Sequence, residues 1–102
     1  MAKHCWFART LDGVGPCDYH GRPPDRAHLI KAQVIRREVG LDHIWDERVI
    51  VPGCRRHHGM LDHSRQIRIP RDKLPGPVEE FAAEHGLTWW LDREYRDWGL
   101  AA

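Results

Sequence analysis

Long apolar runs are missing from this 102-residue chain. No stretch reaches the roughly 18 consecutive apolar residues that a membrane-spanning helix needs. The opening "MAKHCWFART" also lacks the apolar centre of a secretory leader. These absences set the expectation of a cytoplasmic protein with no membrane partner. Cysteine is scarce: there are three, an odd count that no pairing scheme uses up. In a reducing compartment such cysteines are metal ligands or buried thiols before they are disulfides. Excess charge is missing too, since 16 Lys and Arg face 15 Asp and Glu. Repeats and low-complexity tracts are absent. The length suits one domain with a modest core, and residues 1–102 read as a single domain.

Histidine is plentiful, at eight residues. "CRRHHGMLDH", Cys54 to His63, holds one cysteine and three histidines in ten residues. Zinc takes four N or S ligands, usually as two close pairs. Cys54 and His57 form one C-x-x-H pair. Two second pairs compete. Cys5 with Cys17 uses every cysteine and is preferred; Cys17 with His20, in "CDYH", leaves Cys5 out. Either choice joins segments 37 residues apart, from Cys17 to Cys54. His58 follows His57, and helix neighbours differ by about 100° in direction, so the two point to different sites. Asp62, four residues on, shares the face of His58.

The basic residues crowd the middle of the chain: Arg36, Arg37, Arg55, Arg56, Arg65, Arg68, Arg71 and Lys73. Acids gather later, at Glu79, Glu80, Glu84, Asp92, Glu94 and Asp97. This distribution reads as one basic face. Residues 11–25 are turn-rich loop. "RAHLI" reads as a short strand and the segment from Lys31 to Gly40 as a helix. "ERVIVPG" is a β-branched strand, and "CRRHHGMLDHS" a short helix. "RQIRIPR" alternates as a half-exposed strand. "LPGPVEEFAAEHG" is the clearest helix, with Pro77 in its first turn and Gly86 as its stop. "LTWWLDREY" is strand or helix. Trp89 and Trp90 read as core before base-stacking residues, Trp6 and Trp45 as neighbours of the metal site, and His4, His43 and His85 as surface residues.

"RAHLI" followed by "VIVPGCRRHH" resembles the HNH endonucleases, over about residues 5–63. Their pattern is a strand ending in His, a loop, a second strand, and a helix with a metal ligand, opened by a form such as V-P-L-C-x-x-C-H. The remainder, about 64–102, is similar to the extension on small HNH proteins of bacteriophages that infect actinobacteria. The resemblance implies a small α+β fold: a zinc-stabilised ββα-metal (His-Me finger) core with a C-terminal helical extension. It implies a metal-dependent endonuclease that hydrolyses DNA phosphodiester bonds, in the host cytoplasm if phage-encoded. His28 matches the general base and His58 the ligand of a catalytic ion, Mg²⁺, Mn²⁺ or another divalent transition metal, with Asp62 beside it. Cys5, Cys17, Cys54 and His57 match the structural zinc site, with His20 the alternate. Arg55, Arg56, Arg65 and Arg68 are expected on DNA, and His63 on phosphate or metal. Two positions depart from the pattern. Ala27 stands where a metal-ligating Asp or His precedes the base, and Val49 where the middle Asn of the motif belongs. Asp25, Asp46 and Asp62 are the candidate replacements. The alternative is a catalytically degenerate, zinc-stabilised module that binds nucleic acid or protein.

Overall fold

The computed structural model describes residues 5–18, 23–62 and 67–95. The fold is small α+β, with one two-stranded antiparallel sheet and short helices. The chain divides into two compact units: 1–27 with 51–68, and 28–50 with 69–102.

In the first unit, helix α1 (Trp6–Thr10) buries Phe7. Strand β1 (Asp25–His28) pairs with β2 (Ile50–Gly53), all but His28 and Ile50 of these strands belonging to this unit, and helix α3 (Arg55–Asp62) follows β2 directly. Gly53 is required by packing. A Cβ there would stand 2.7 Å from Cε2 of Phe7, which is wholly buried. Strand β2 therefore approaches α1 as closely as bare backbone allows. In β1, alternation places Asp25 and Ala27 on one face, and Ala27 is buried at 0% exposure.

In the second unit, α2 (Ala32–Glu38) buries Val34 and Ile35. It packs on a 3₁₀ turn at Leu41–His43. A second 3₁₀ turn, Glu47–Val49, is capped by Asp46, whose carboxylate accepts from the Arg48 amide at 2.9 Å. Helix α4 (Gly76–His85) packs on that turn and on α5 (Thr88–Glu94). Pro77 sits in the first turn of α4, and Gly86 ends the helix in the left-handed region at φ 70°. Arg48 bridges Asp46 and Glu84 and lies 5.2 Å over the Phe81 ring. The Tyr95 hydroxyl donates to the Leu29 carbonyl.

Three expectations need correction, and one segment left between strand and helix resolves as helix. The described part of "RQIRIPR" pairs with no strand. Ile67 and Ile69 are buried and Arg68 is exposed, so the alternation is that of an extended segment packing one side inward without a ladder. The "TWWLDRE" segment is helix, with Trp90 and Leu91 buried and Trp89 exposed. Trp45 is not packed at the cysteine cluster: it is 58% exposed, in the second unit, against the His28 ring. His43 and His85 are half-buried, stacked on one another and on Phe81. No helix among the described residues is long and apolar enough to cross a membrane.

Candidate metal centre

Cys5, Cys17, Cys54 and His57 come together in the first unit, with their ligand atoms all within 4.8 Å of one another. Each arrives from a different place: Cys5 just before α1, Cys17 on the Gly- and Pro-rich loop, Cys54 at the end of β2, and His57 in the first turn of α3. Three of the four are almost wholly buried, and Cys17 is the exposed member. His57 Nδ1 lies 3.4 Å from the Cys5 sulfur, 3.8 Å from that of Cys17 and 3.2 Å from that of Cys54. A tetrahedral ion about 2.3 Å from sulfur and 2.0–2.1 Å from nitrogen holds S and N about 3.6 Å apart. The three distances bracket that value, so the cluster can hold a metal ion and is compatible with zinc.

The surroundings prepare these ligands. The Val14 carbonyl lies 3.1 Å from His57 Nε2. A carbonyl only accepts, so Nε2 carries the proton and the Nδ1 lone pair faces the sulfurs. The Cys54 amide donates to the Cys5 sulfur at 3.4 Å, and the His57 amide to the Cys54 sulfur at 3.3 Å. Burial pushes the Cys54 thiol up, but amide hydrogen bonds from His57 and Asp18, together with hydrogen bonds from the Cys17 and Cys5 thiols, hold it below its ordinary value. Desolvation and the neighbouring Cys5 push Cys17 up to about 11. Crowded thiols resist ionising together, and a divalent cation removes that conflict.

Arg56 belongs to this centre. Its Nη1 donates to the carbonyls of Val14 and Pro16, both at 3.0 Å. Gly15 lies under the guanidinium, with φ +84°, and a Cβ there would meet Nη1 at 2.7 Å. The Asp18 carbonyl accepts from the Arg55 amide at 3.2 Å. The loop carrying Cys17 is thus fastened to the start of α3 at three carbonyls. Its partners are backbone atoms some 40 residues away, so spacing gave no sign of this role.

His58 leaves the cluster, as helical geometry requires. Its Nδ1 lies 3.1 Å from Asp25 Oδ2 and its Nε2 lies 2.9 Å from Asp62 Oδ2. Alternation in β1 turns Asp25 to this place, and i,i+4 spacing on α3 does the same for Asp62. The imidazole stands between the two carboxylates. Each ring nitrogen therefore faces one carboxylate. His28, in the second unit, has Nε2 at 2.7 Å from the Ile44 carbonyl and its ring centroid 4.8 Å from that of Trp45. A carbonyl only accepts, so His28 Nε2 carries a proton toward Ile44 and Nδ1 is the ring's other nitrogen. Arg55 and Arg68 are exposed. His20, His63 and Arg65 lie outside the described residues, as do His4 and Asp97. Asp46 is committed to Arg48, and Val49 and Ala27 are fully buried.

Comparison with family models, with curated proteins and with solved structures finds no match. The functional reading therefore rests on the residues and their geometry.

Proposed function

We propose that the chain is a metal-dependent endonuclease of the HNH type, which hydrolyses phosphodiester bonds of DNA. One observation carries the reading. Adjacent residues on α3 serve different places: His57 joins Cys5, Cys17 and Cys54, while His58 stands between Asp25 and Asp62. A closed Cys₃His group is the form of a structural zinc site, and a histidine beside carboxylates is a donor set that suits a second ion. β1, then β2 after α2 and two 3₁₀ turns, then α3, is an order that suits a ββα-metal core with a long connection between its strands.

In this reading His58, with Asp25 or Asp62, holds a divalent ion. A neutral imidazole beside a carboxylate suits a transition ion or Mn²⁺ better than Mg²⁺. When bound, the ion supplies positive charge to the scissile phosphate and the leaving 3′ oxygen. His28 Nδ1 takes the proton of the attacking water, its ring held by the Ile44 carbonyl. Arg55, beside the N-terminus of α3, holds a neighbouring phosphate. Asp25, two residues before Ala27, takes the place of the carboxylate that the HNH pattern puts next to the base.

A second reading has its own support. Ala27 and Val49 are both at 0% exposure, so neither position offers polar chemistry, and a zinc-stabilised binding module would need none. The two readings separate on supercoiled plasmid incubated with Mg²⁺, Mn²⁺, Ni²⁺ or Zn²⁺. The nuclease nicks it with at least one ion, and His28→Ala loses that activity by orders of magnitude. Equal nicking by both proteins removes His28 as base. No nicking with any ion, with salt-sensitive DNA binding retained, selects the binding module.

A further inference from the structure

We infer that Cys17 is the entry point for oxidants into the Cys₃His group, and that a disulfide from Cys17 to Cys5 or Cys54 expels the bound ion. The inference concerns this group alone and does not depend on the nuclease reading. The three cysteines are thiols, and the four ligand atoms of the group all lie within 4.8 Å of one another. Solvent reaches the sulfurs unequally. Cys5 is 1% exposed and Cys54 0%, whereas Cys17 is exposed on its loop. A small polar oxidant therefore meets one sulfur first, with two more behind it. The neighbours of Cys17 hold it there: the Pro16 carbonyl accepts from Arg56 Nη1 at 3.0 Å, and the Asp18 carbonyl from the Arg55 amide at 3.2 Å. A disulfide bond is about 2.05 Å long, so closing one from within 4.8 Å takes a movement of less than about 3 Å.

The chemistry balances with a peroxide as oxidant. The Cys17 thiolate attacks one oxygen of hydrogen peroxide. The O–O bond breaks, a sulfenic acid forms, and the departing hydroxide takes a proton and leaves as water. The sulfur of Cys5 or Cys54 then attacks the sulfenic sulfur. The S–S bond forms and the S–O bond breaks, releasing a second water with a second proton. Two thiolates, one peroxide and two protons thus become one disulfide and two waters, and two electrons pass from sulfur to oxygen. The metal is neither oxidised nor reduced. One thiolate and His57 remain of the four ligands, too few for a closed tetrahedral site, so the ion is lost. With it goes the link between the start of α1, the Cys17 loop and the first turn of α3. Helix α3 has eight residues, fewer than the roughly 12–15 that hold a helix in isolation, and it carries His58. Oxidation at Cys17 therefore reaches the His58 side as a loosening of α3. The close second thiol also traps the sulfenic acid before further oxidation, which keeps the change reversible by a thiol reductant.

The test uses the full-length, zinc-loaded protein after desalting. Limiting hydrogen peroxide is added, zinc release is followed with a chromophoric chelator, and the remaining thiols are alkylated and mapped by mass spectrometry. Each zinc released should be matched by the loss of two thiols, with Cys17 in the disulfide. A thiol reductant with added zinc should restore the zinc content and the far-UV circular dichroism of the untreated chain. Cys17→His keeps a fourth ligand without the exposed thiol. It should slow zinc release by about tenfold or more, because the two thiols left are buried. A Cys5–Cys54 disulfide as the first product, zinc release with all three thiols intact, or sulfinic acid at Cys17 with no disulfide overturns the inference. So does a Cys17→His protein that loses zinc to peroxide as fast as the native chain. If Cys17→His binds no zinc, the disulfide map of the native chain decides alone.

Discussion

Replacing Arg56 by alanine separates two roles that adjacent arginines play. Arg56 Nη1 makes two hydrogen bonds at 3.0 Å to the loop that delivers Cys17. Hydrogen bonds from a charged donor contribute about 1.5–3 kcal/mol each when shielded from water. This guanidinium is exposed, so about 1–2 kcal/mol for the pair is the reasonable magnitude. The loop places Cys17 among the other ligands, so the loss falls on metal affinity. It corresponds to about 5- to 30-fold in Kd, close to the usual effect of removing a residue that orients a metal ligand. Competition against a chromophoric zinc chelator measures it directly. Arg55→Ala is the control, because only the Arg55 backbone amide reaches the loop and alanine keeps it. Arg55→Ala should hold zinc as the native chain does and weaken DNA binding. If Arg56→Ala retains native zinc affinity, or Arg55→Ala loses as much, the clamp is wrongly assigned.

Further predictions follow from other parts of the structure. Gly53→Ala drives a methyl group into the buried Phe7 ring, costing about 1–3 kcal/mol and lowering Tm by roughly 5–20 °C; Gly76→Ala, with nothing within 4 Å of the new Cβ, should stay near native in the same melt. Zinc retention should fall steeply as pH drops, because the thiol ligands, among them Cys17 whose pKa is pushed up to about 11, give up protons when the ion binds and take them back when it leaves; a flat chelator-competition profile between pH 8 and 6 would contradict ligation by these thiols. The Asp46 and Glu79 carboxyls are held below their ordinary range by hydrogen bonds from Arg48 and Arg71. Their stabilisation is present above the unfolded pKa values near 4 and is lost as pH falls through the lower folded ones. Tm should therefore decline below about pH 4, and less so in Arg71→Ala, which lacks the Glu79 pair.

The local features were legible in the sequence, and the distant ones were not. Cys54 and His57 are three residues apart at a helix start, so spacing alone pairs them. The opposite direction of His58 follows from helical geometry. Cys5 and Cys17 were reached by counting cysteines, an argument about scarcity rather than position. In α4, Pro77 and Gly86 mark both ends chemically. In α5, "TWWL" is apolar without a period, and only packing of Trp90 and Leu91 makes it helix. Helix α1 is five residues long, too short for a periodic signal, and exists because Phe7 has a pocket against Gly53. Alternation in "RQIRIPR" reported burial correctly and pairing wrongly, since a strand also needs a partner edge. Asp25 and Asp62 were two of three candidate carboxylates, and their places beside His58 distinguish them from Asp46, which pairs with Arg48. Trp45 beside His28, and Arg56 on the Cys17 loop, depend on contacts that no linear pattern encodes.

The division of the adjacent histidines is the centre of this account, and the metal content of two single variants tests it most directly. After desalting, native protein and His58→Ala should each retain about one equivalent of zinc per chain, while His57→Ala retains much less. Loss of the tightly bound ion from His58→Ala would contradict the account, because the two histidines would then serve one site.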